Sequence, residues 1–270
     1  MAVFKIQRYD PEKDGRPYFQ TYEVPVEQGM SILDCLFYIK ERLDATLSFR
    51  ASCRMGICGS CAMYINGLPR LACETQVTSL ATDTIEVRPL PNYEVIKDLV
   101  VDLAPLFEKH QRVRPWIIPY DPVELDRPTK EYHQSPAELE RYLQFAYCLK
   151  CGLCLAACPT VATDQEFIGP QALAQAFRYN SDTRDGGDTE RMAAVDTLHG
   201  LWRCHMAGAC AEVCPKGVDP ALAIQLMKRE AVFGKKKGRA RLADPPHAVK
   251  LLPGILKAPE PTVKRSEGEI

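Results

Sequence analysis

Two runs of cysteine in the second half of the sequence have the spacing of thiolate ligands. The first is Cys148, Cys151, Cys154 and Cys158, followed by Pro159, a C-x2-C-x2-C-x3-C-P pattern. Such a run holds iron–sulfur clusters, and its fourth cysteine ligates the other cluster of a pair. The second run is Cys204, Cys210 and Cys214, followed by Pro215. Laid over the first, it lacks one cysteine. The vacant place falls on Ala207, whose methyl group cannot bind iron. Crossed ligation then makes an unequal pair. Cys148, Cys151, Cys154 and Cys214 supply four thiolates, which suit a 4Fe–4S cube. Cys158, Cys204 and Cys210 supply three, which leave one corner without a protein ligand and suit a 3Fe–4S cluster. Paired C-x2-C units also read as a structural zinc site. The two Cys-Pro endings fit the crossed cluster wiring better.

A different pattern stands in the first third. Cys53, Cys58 and Cys61 lie in one short loop, and Cys73 follows it. C-x4-C-x2-C…C is the plant-type 2Fe–2S spacing. Three thiolates from so short a stretch must converge on one point, so the backbone has to wrap tightly. Gly56 and Gly59 permit positive φ and let amides approach the sulfurs. A glycine-rich turn with incidental cysteines is the bland alternative, and four matching positions weigh against it. Of the twelve cysteines, only Cys35 is then left without iron. It sits in a predicted helix and reads as a small buried hydrophobe.

The elements that must position these sulfurs are legible around them. Residues 3–9 and 18–26 alternate polar and apolar about a long turn at 10–15, a β-hairpin pattern. Ser31, with Asp34 three places on, predicts a helix cap. Ile32, Leu33, Leu36, Phe37, Ile39 and Leu43 follow as an apolar stripe. Asn66-Gly67 between Met63-Tyr64-Ile65 and Leu68 signals a tight hairpin. Thr84–Val87 reads as a last strand. This predicts a β-grasp sheet curled over one helix. Beyond it, 94–111 reads as a helix that Pro105 should kink or divide. Residues 115–136, with five prolines, read as an extended connector. Ser135-Pro136-Ala137-Glu138 is a capping box opening a helix to about Tyr147. Further helices are expected from Gly169-Pro170 with Leu173, Ala176 and Phe177 as its apolar face, from Asp188 as a cap to about Asp196, and from Asp219-Pro220 to Phe233, stopped by Gly234. The expected class is α+β. A plant-type 2Fe–2S β-grasp domain (1–105) precedes an all-helical bacterial-type ferredoxin domain (106–234) and a basic, Pro-rich tail (235–270).

Composition excludes some functions. Lys plus Arg number 34 against 35 Asp plus Glu, whereas a nucleic-acid binder needs a basic face. No apolar run reaches the ~20 residues that span a bilayer. The first residues lack the apolar core of a signal peptide. Thiolate-rich sites call for a reducing compartment, a cytoplasm or an equivalent matrix. Lys235, Lys236, Lys237, Arg239 and Arg241 form a basic run that either meets anionic lipid or is simply solvated.

Taken in order, the three cysteine motifs resemble the iron–sulfur subunit of the respiratory complex II family, succinate dehydrogenase and quinol:fumarate reductase. Cys53 to Met63, Asn66-Gly67, Cys158-Pro159 and Cys214-Pro215-Lys216-Gly217 match that pattern, and the likeness runs over about residues 3–233. The resemblance implies an electron-transfer subunit. It would bind a separate FAD-containing flavoprotein subunit and one or more membrane-anchor subunits, and have no transmembrane segment of its own. It would lie peripherally on the cytoplasmic face of the inner membrane. Electrons from succinate would pass through 2Fe–2S, 4Fe–4S and 3Fe–4S clusters to quinone; fumarate reduction would run the same path backwards. No catalytic acid or base is expected here. Pro159, His205, Gln225 and Lys228 correspond to positions near quinone. His205 and Lys228 have other plain readings, as a contact to the cluster and as a solvated helix residue. The stretch Thr160-Val161-Ala162-Thr163-Asp164 lacks the Trp pair usual in ubiquinone-linked members, which implies menaquinone. A stand-alone electron carrier and the electron-transfer subunit of another flavoprotein are the rival readings.

Overall fold

The structure, a computed structural model, describes residues 1–128 and 131–234. The basic run at 235–241 and the rest of the tail lie outside the described residues.

Strand β1 (Ala2–Arg8) alternates fully and partly buried residues and pairs antiparallel with β2 (Tyr18–Val24), so the predicted hairpin forms. Helix α1 (Ile32–Tyr38) opens on the expected capping box. The Ser31 hydroxyl accepts from the Asp34 amide, and the Asp34 carboxylate accepts from the Ser31 amide at 2.9 Å. Ile32, Leu33, Leu36 and Ile39 are buried. The stripe then ends early. Ile39–Leu43 is a π-helical turn, and its wider winding leaves Leu43 49% exposed. Strands β3 (Ala62–Ile65) and β4 (Leu68–Leu71) close on Asn66 (φ 45°) and Gly67 (φ 83°), the doubly left-handed turn that their sequence predicts. β5 (Thr84–Arg88) lies parallel to β1. The sheet order is β2-β1-β5-β3-β4, a mixed sheet sharing one core with α1.

The stretch from 94 departs from the expected helix. It forms a small antiparallel pair, β6 (Val95–Lys97) and β7 (Val100–Val101), turning at Asp98 (φ 47°). The buried Asp98 carboxylate accepts from Arg8 Nε at 2.9 Å, the Tyr9 amide at 3.0 Å and the Ser48 amide at 2.8 Å. Three partners remote in sequence outweigh a local helical pattern. Helix α2 (Ala104–Arg112) begins only afterwards. Pro105 therefore sits in its first turn, where a missing N–H costs nothing, and no kink results.

Among the described residues every later regular element is helical. The proline-rich connector holds one turn, α3 (Val123–Asp126). The helix expected to run from 136 to 147 is broken into α4 (Pro136–Glu140) and α5 (Leu143–Ala146). Tyr142 leaves helical geometry (φ −130°) as its ring enters the core and its hydroxyl donates to Gln134 Oε1 at 2.6 Å. Short helices α6 (Leu153–Ala156) and α7 (Pro159–Thr163) flank Cys158. Helix α8 (Pro170–Asn180) is buried at every position from Pro170 to Phe177, not on one face alone, because α2, α5, α6, α9 and α11 all pack on it. In α9 (Asp188–Val195), Asp188 is the first residue and Gly187 takes the cap position. Asp185, not Asp188, accepts from the Gly187 amide, and it also binds the fully buried Arg191 at 2.7 Å. Helices α10 (Ala209–Glu212) and α11 (Pro220–Phe233) complete the fold, with Asp219 capping α11 and Gly234 (φ 72°) ending it as expected.

Cys35 is fully buried on α1, and burial pushes its thiol up to about 12. Cys35→Ser is expected to cost about 1–3 kcal/mol through a buried hydroxyl and to leave every iron–sulfur signal intact. Electron paramagnetic resonance (EPR) of the folded mutant checks this, and loss of one cluster signal would contradict it.

Candidate metal centres

Cys53, Cys58 and Cys61 occupy the loop before β3, and Cys73 follows β4. The loop curls by taking positive φ at Arg54 (58°), Gly56 (69°) and Gly59 (74°). Its amides consequently point inward. Met55, Ile57 and Cys58 donate to Cys53 Sγ at 3.3–3.4 Å, and Gly56 donates to Cys73 Sγ at 3.3 Å. The Ser60 hydroxyl and the backbone amides around Cys58 draw its thiol down to about 6. Cys61, 3% exposed, is pushed up to about 12 by burial.

The two later runs have matching backbones. In the first, Lys150 (φ 56°) and Gly152 (φ 84°) flank Cys151, and Gly152 leads into α6. In the second, Met206 (φ 59°) and Gly208 (φ 78°) flank Ala207, and Gly208 leads into α10. Ala207 thus stands in the second run where Cys151 stands in the first. A cavity is lined by Cys158, Cys204 and Cys210 together with Ala207, Pro159 and Ile224. The remaining sulfurs form a second group. Cys151 is pushed up to about 12 by burial and then by Cys214 and Cys148. Burial, then Cys151, Cys148, Cys210 and Cys214, raise Cys154 well above an ordinary thiol. Cys210 is pushed to about 12 by burial and then by Cys158 and Cys204.

These donor sets fit thiophilic iron. At Cys61, Cys151, Cys154 and Cys210 ionisation is opposed by burial and by neighbouring sulfurs, two costs that a bound cationic core removes.

The structure also joins the centres in ways the cysteine spacing does not announce. Gly59 lies against Cys151, and a Cβ on Gly59 would be 2.7 Å from Cys151 Cβ and 3.0 Å from its Cα. Glu74, beside Cys73, covers Gly56 and pairs with Lys216, two residues after Cys214, at 3.1 Å. Asn92 Nδ2 donates to the carbonyls of Leu155, Ala156 and Cys158 at 2.9, 3.1 and 3.2 Å. The Tyr93 hydroxyl donates to the Gly152 carbonyl at 3.1 Å. Arg203 Nε donates to Asp164 at 2.7 Å and ties the arm carrying Cys204 to the arm carrying Cys158. The signals for these ties in the sequence are slight, such as the opposite charges of Glu74, which follows Cys73, and Lys216, two residues after Cys214.

Of the four residues proposed near quinone, only Pro159 lines the three-cysteine cavity. His205 and Gln225 are exposed. Lys228 is half-buried, and its ammonium donates to the Cys204 carbonyl at 2.9 Å, near the ring of Trp202.

Gly59→Ala combines a left-handed backbone with a collision at Cys151. It is expected to destabilise the chain by about 1–3 kcal/mol and to perturb the EPR signals of both adjoining centres. A melting temperature and spectra equal to wild type would contradict the contact.

A family model described as a 2Fe-2S iron-sulfur cluster binding domain matches residues 3–108, and one described as a 4Fe-4S dicluster domain matches 144–218. The fumarate reductase iron-sulfur subunit of Mycobacterium tuberculosis (strain CDC 1551 / Oshkosh) is 48% identical over 231 residues, covering 85% of this chain and 92% of that protein. The mitochondrial succinate dehydrogenase [ubiquinone] iron-sulfur subunit of Dictyostelium discoideum is 38% identical over 233 residues, covering 83% and 80%. A chain of the Mycobacterium smegmatis Sdh1 complex in the apo form superposes with a TM-score of 0.77 at 28% identity, covering 88% of this chain and 98% of that one. Among the described residues no helix is long and apolar enough to cross a membrane. The chain carries an N-terminal 2Fe–2S domain and a C-terminal 4Fe–4S dicluster domain, and it belongs to the family of iron–sulfur subunits of fumarate reductase and succinate dehydrogenase.

Proposed function

We propose that this chain is the electron-transfer subunit of a membrane-associated succinate:quinone oxidoreductase. It would work between a FAD-containing flavoprotein subunit and quinone at one or more membrane-anchor subunits, peripherally on the cytoplasmic face of the membrane. The reading divides it near residue 105 into a β-grasp, plant-type 2Fe–2S domain and a helical, bacterial-type dicluster domain. The observation that carries it is the cavity framed by Cys158, Cys204 and Cys210, with Ala207 where a fourth sulfur would stand.

Cys53, Cys58, Cys61 and Cys73 would hold a 2Fe–2S cluster. Cys148, Cys151, Cys154 and Cys214 would hold a 4Fe–4S cluster, and Cys158, Cys204 and Cys210 a 3Fe–4S cluster. When bound, such clusters supply reversible one-electron chemistry. The chain's own residues fix the rest. The loop amides offset negative charge at the Cys53 and Cys73 sulfurs. Gly59 lets the 2Fe–2S loop meet the segment of Cys151, and the Glu74–Lys216 pair braces the same junction. Pro159, His205, Gln225 and Lys228 remain the candidates for contact with quinone, which the absent Trp pair points to as menaquinone.

Fumarate reduction is the second reading, supported by relatives at 45–48% identity that are named fumarate reductase subunits. Purifying the chain with its partners tests the proposal. A FAD-containing subunit that oxidises succinate should co-purify, and the complex should turn over faster with menaquinone than with ubiquinone analogues. Purification alone, or with a flavoprotein indifferent to succinate and fumarate, would overturn it. A clear preference for ubiquinone would overturn the choice of quinone, and fumarate reduction far faster than succinate oxidation would favour the second reading.

Ala207→Cys is expected to supply a fourth thiolate. The oxidised wild type should show the EPR signal of a 3Fe cluster, and the mutant should lose it and gain a second 4Fe–4S signal on reduction. Added negative charge lowers the potential, so succinate-to-quinone turnover should fall. Two intact 4Fe–4S clusters and no 3Fe signal in the wild type would contradict the three-ligand assignment.

A further inference from the structure

Gln171 is an amide buried beside a ligand sulfur. It occupies the first turn of α8 and is 2% exposed. Its Nε2 donates to Cys148 Sγ at 3.8 Å and lies 3.2 Å from His110 Nδ1. Its Oε1 has no hydrogen-bond partner among the described residues. Nε2 thus faces two partners while the buried carbonyl oxygen goes unpaired at a desolvation cost. The reverse orientation would put the oxygen lone pairs against a thiolate, which accepts hydrogen bonds and cannot donate them. The sulfur therefore dictates which way the amide faces. Gln175, one turn on, shows the contrast, since it donates to the Phe145 carbonyl at 2.9 Å and serves the fold alone.

His110 is the second partner, and its Nδ1 accepts in the tautomer that carries the ring proton on Nε2. It is 9% exposed on α2, and burial, with the nearby Lys150 charge, holds it down to about 4. The imidazole is then neutral at physiological pH, and its Nδ1 lone pair can pin one N–H of Gln171 while the other is aimed at Cys148.

We propose that Gln171, pinned by His110, is a positioning residue that acts through Cys148 and raises the reduction potential of the four-cysteine centre. The inference rests on the reading of Cys148, Cys151, Cys154 and Cys214 as ligands of one 4Fe–4S cluster. Reduction adds negative charge that spreads onto the ligand sulfurs. A donor aimed at one of them in a dry interior stabilises the reduced form more than the oxidised. A neutral amide does this without burying a charge.

The test uses the intact complex and its Gln171→Met and His110→Phe variants, in redox titrations followed by EPR. Gln171→Met keeps the length of the side chain and removes the donor. The midpoint potential of the 4Fe–4S centre should fall while those of the other two centres stay in place. Electron–nuclear double resonance in H2O and D2O should show one exchangeable-proton coupling lost from the reduced centre. His110→Phe leaves the amide unpinned and should shift the same potential downward by less. An unchanged potential with the coupling retained in Gln171→Met overturns the proposal. Should that variant fail to assemble the cluster, an unchanged potential in His110→Phe overturns it. Absence of any 4Fe–4S signal from the wild-type complex overturns the ligand reading itself.

Discussion

A buried thiol gives up its proton only where something offsets the charge left behind. Here burial and neighbouring sulfurs oppose ionisation at Cys61, Cys151 and Cys210, one from each of the three groups that the cysteine spacing suggests. Sulfurs in such surroundings do not draw together unaided, and the backbone must hold them. Left-handed residues do this at each loop, with Gly56 and Gly59 in the first, Gly152 in the second and Gly208 in the third. Inward amides then supply positive potential where charge will collect. The two cores are built around this requirement. Cys151 packs against the first core, and Cys148, Cys154, Cys158, Cys204 and Cys214 pack against the second.

Much of this was legible in the sequence where the controlling interaction is local. The caps at Ser31, Ser135 and Asp219 depend on residues three places apart, and all form. The Asn66-Gly67 turn is set by its own φ preferences. Cysteine spacing is likewise local, and the two runs share a backbone in which Ala207 stands where Cys151 stands. The failures have one cause. Asp98 turns a helical pattern into a hairpin because Arg8, Tyr9 and Ser48 meet it in space. Tyr142 breaks a helix to reach Gln134 and the core, and α9 starts at Asp188 without a side-chain cap because Asp185 fixes the Gly187 amide just before it while holding Arg191.

The site divides along the same line. Which cysteines could bind iron follows from spacing, whereas what surrounds the sulfurs does not. Gln171 reads in the sequence as one more polar residue on a helix, and His110 as a lone histidine. Only the packing of α2 against α8 brings them together beside Cys148. Gly59 reads as loop flexibility, yet its missing side chain is what admits Cys151. In both cases the spatial neighbour defines the role.

The grip of Asn92 and Tyr93 on the carbonyls of Gly152, Leu155, Ala156 and Cys158 bears on how such a chain is made. Both residues leave the ribosome before the first of the paired cysteine runs is translated. The sheet and the clasp behind it are available to receive Cys148 to Cys158 as that stretch emerges, in line with the N-terminal-first order in which domains fold during synthesis. A circular permutation that placed the cysteine runs ahead of the clasp would expose those sulfurs with nothing waiting to dock them. The direction of translation is thereby matched to the order in which the metal-bearing segments need shelter.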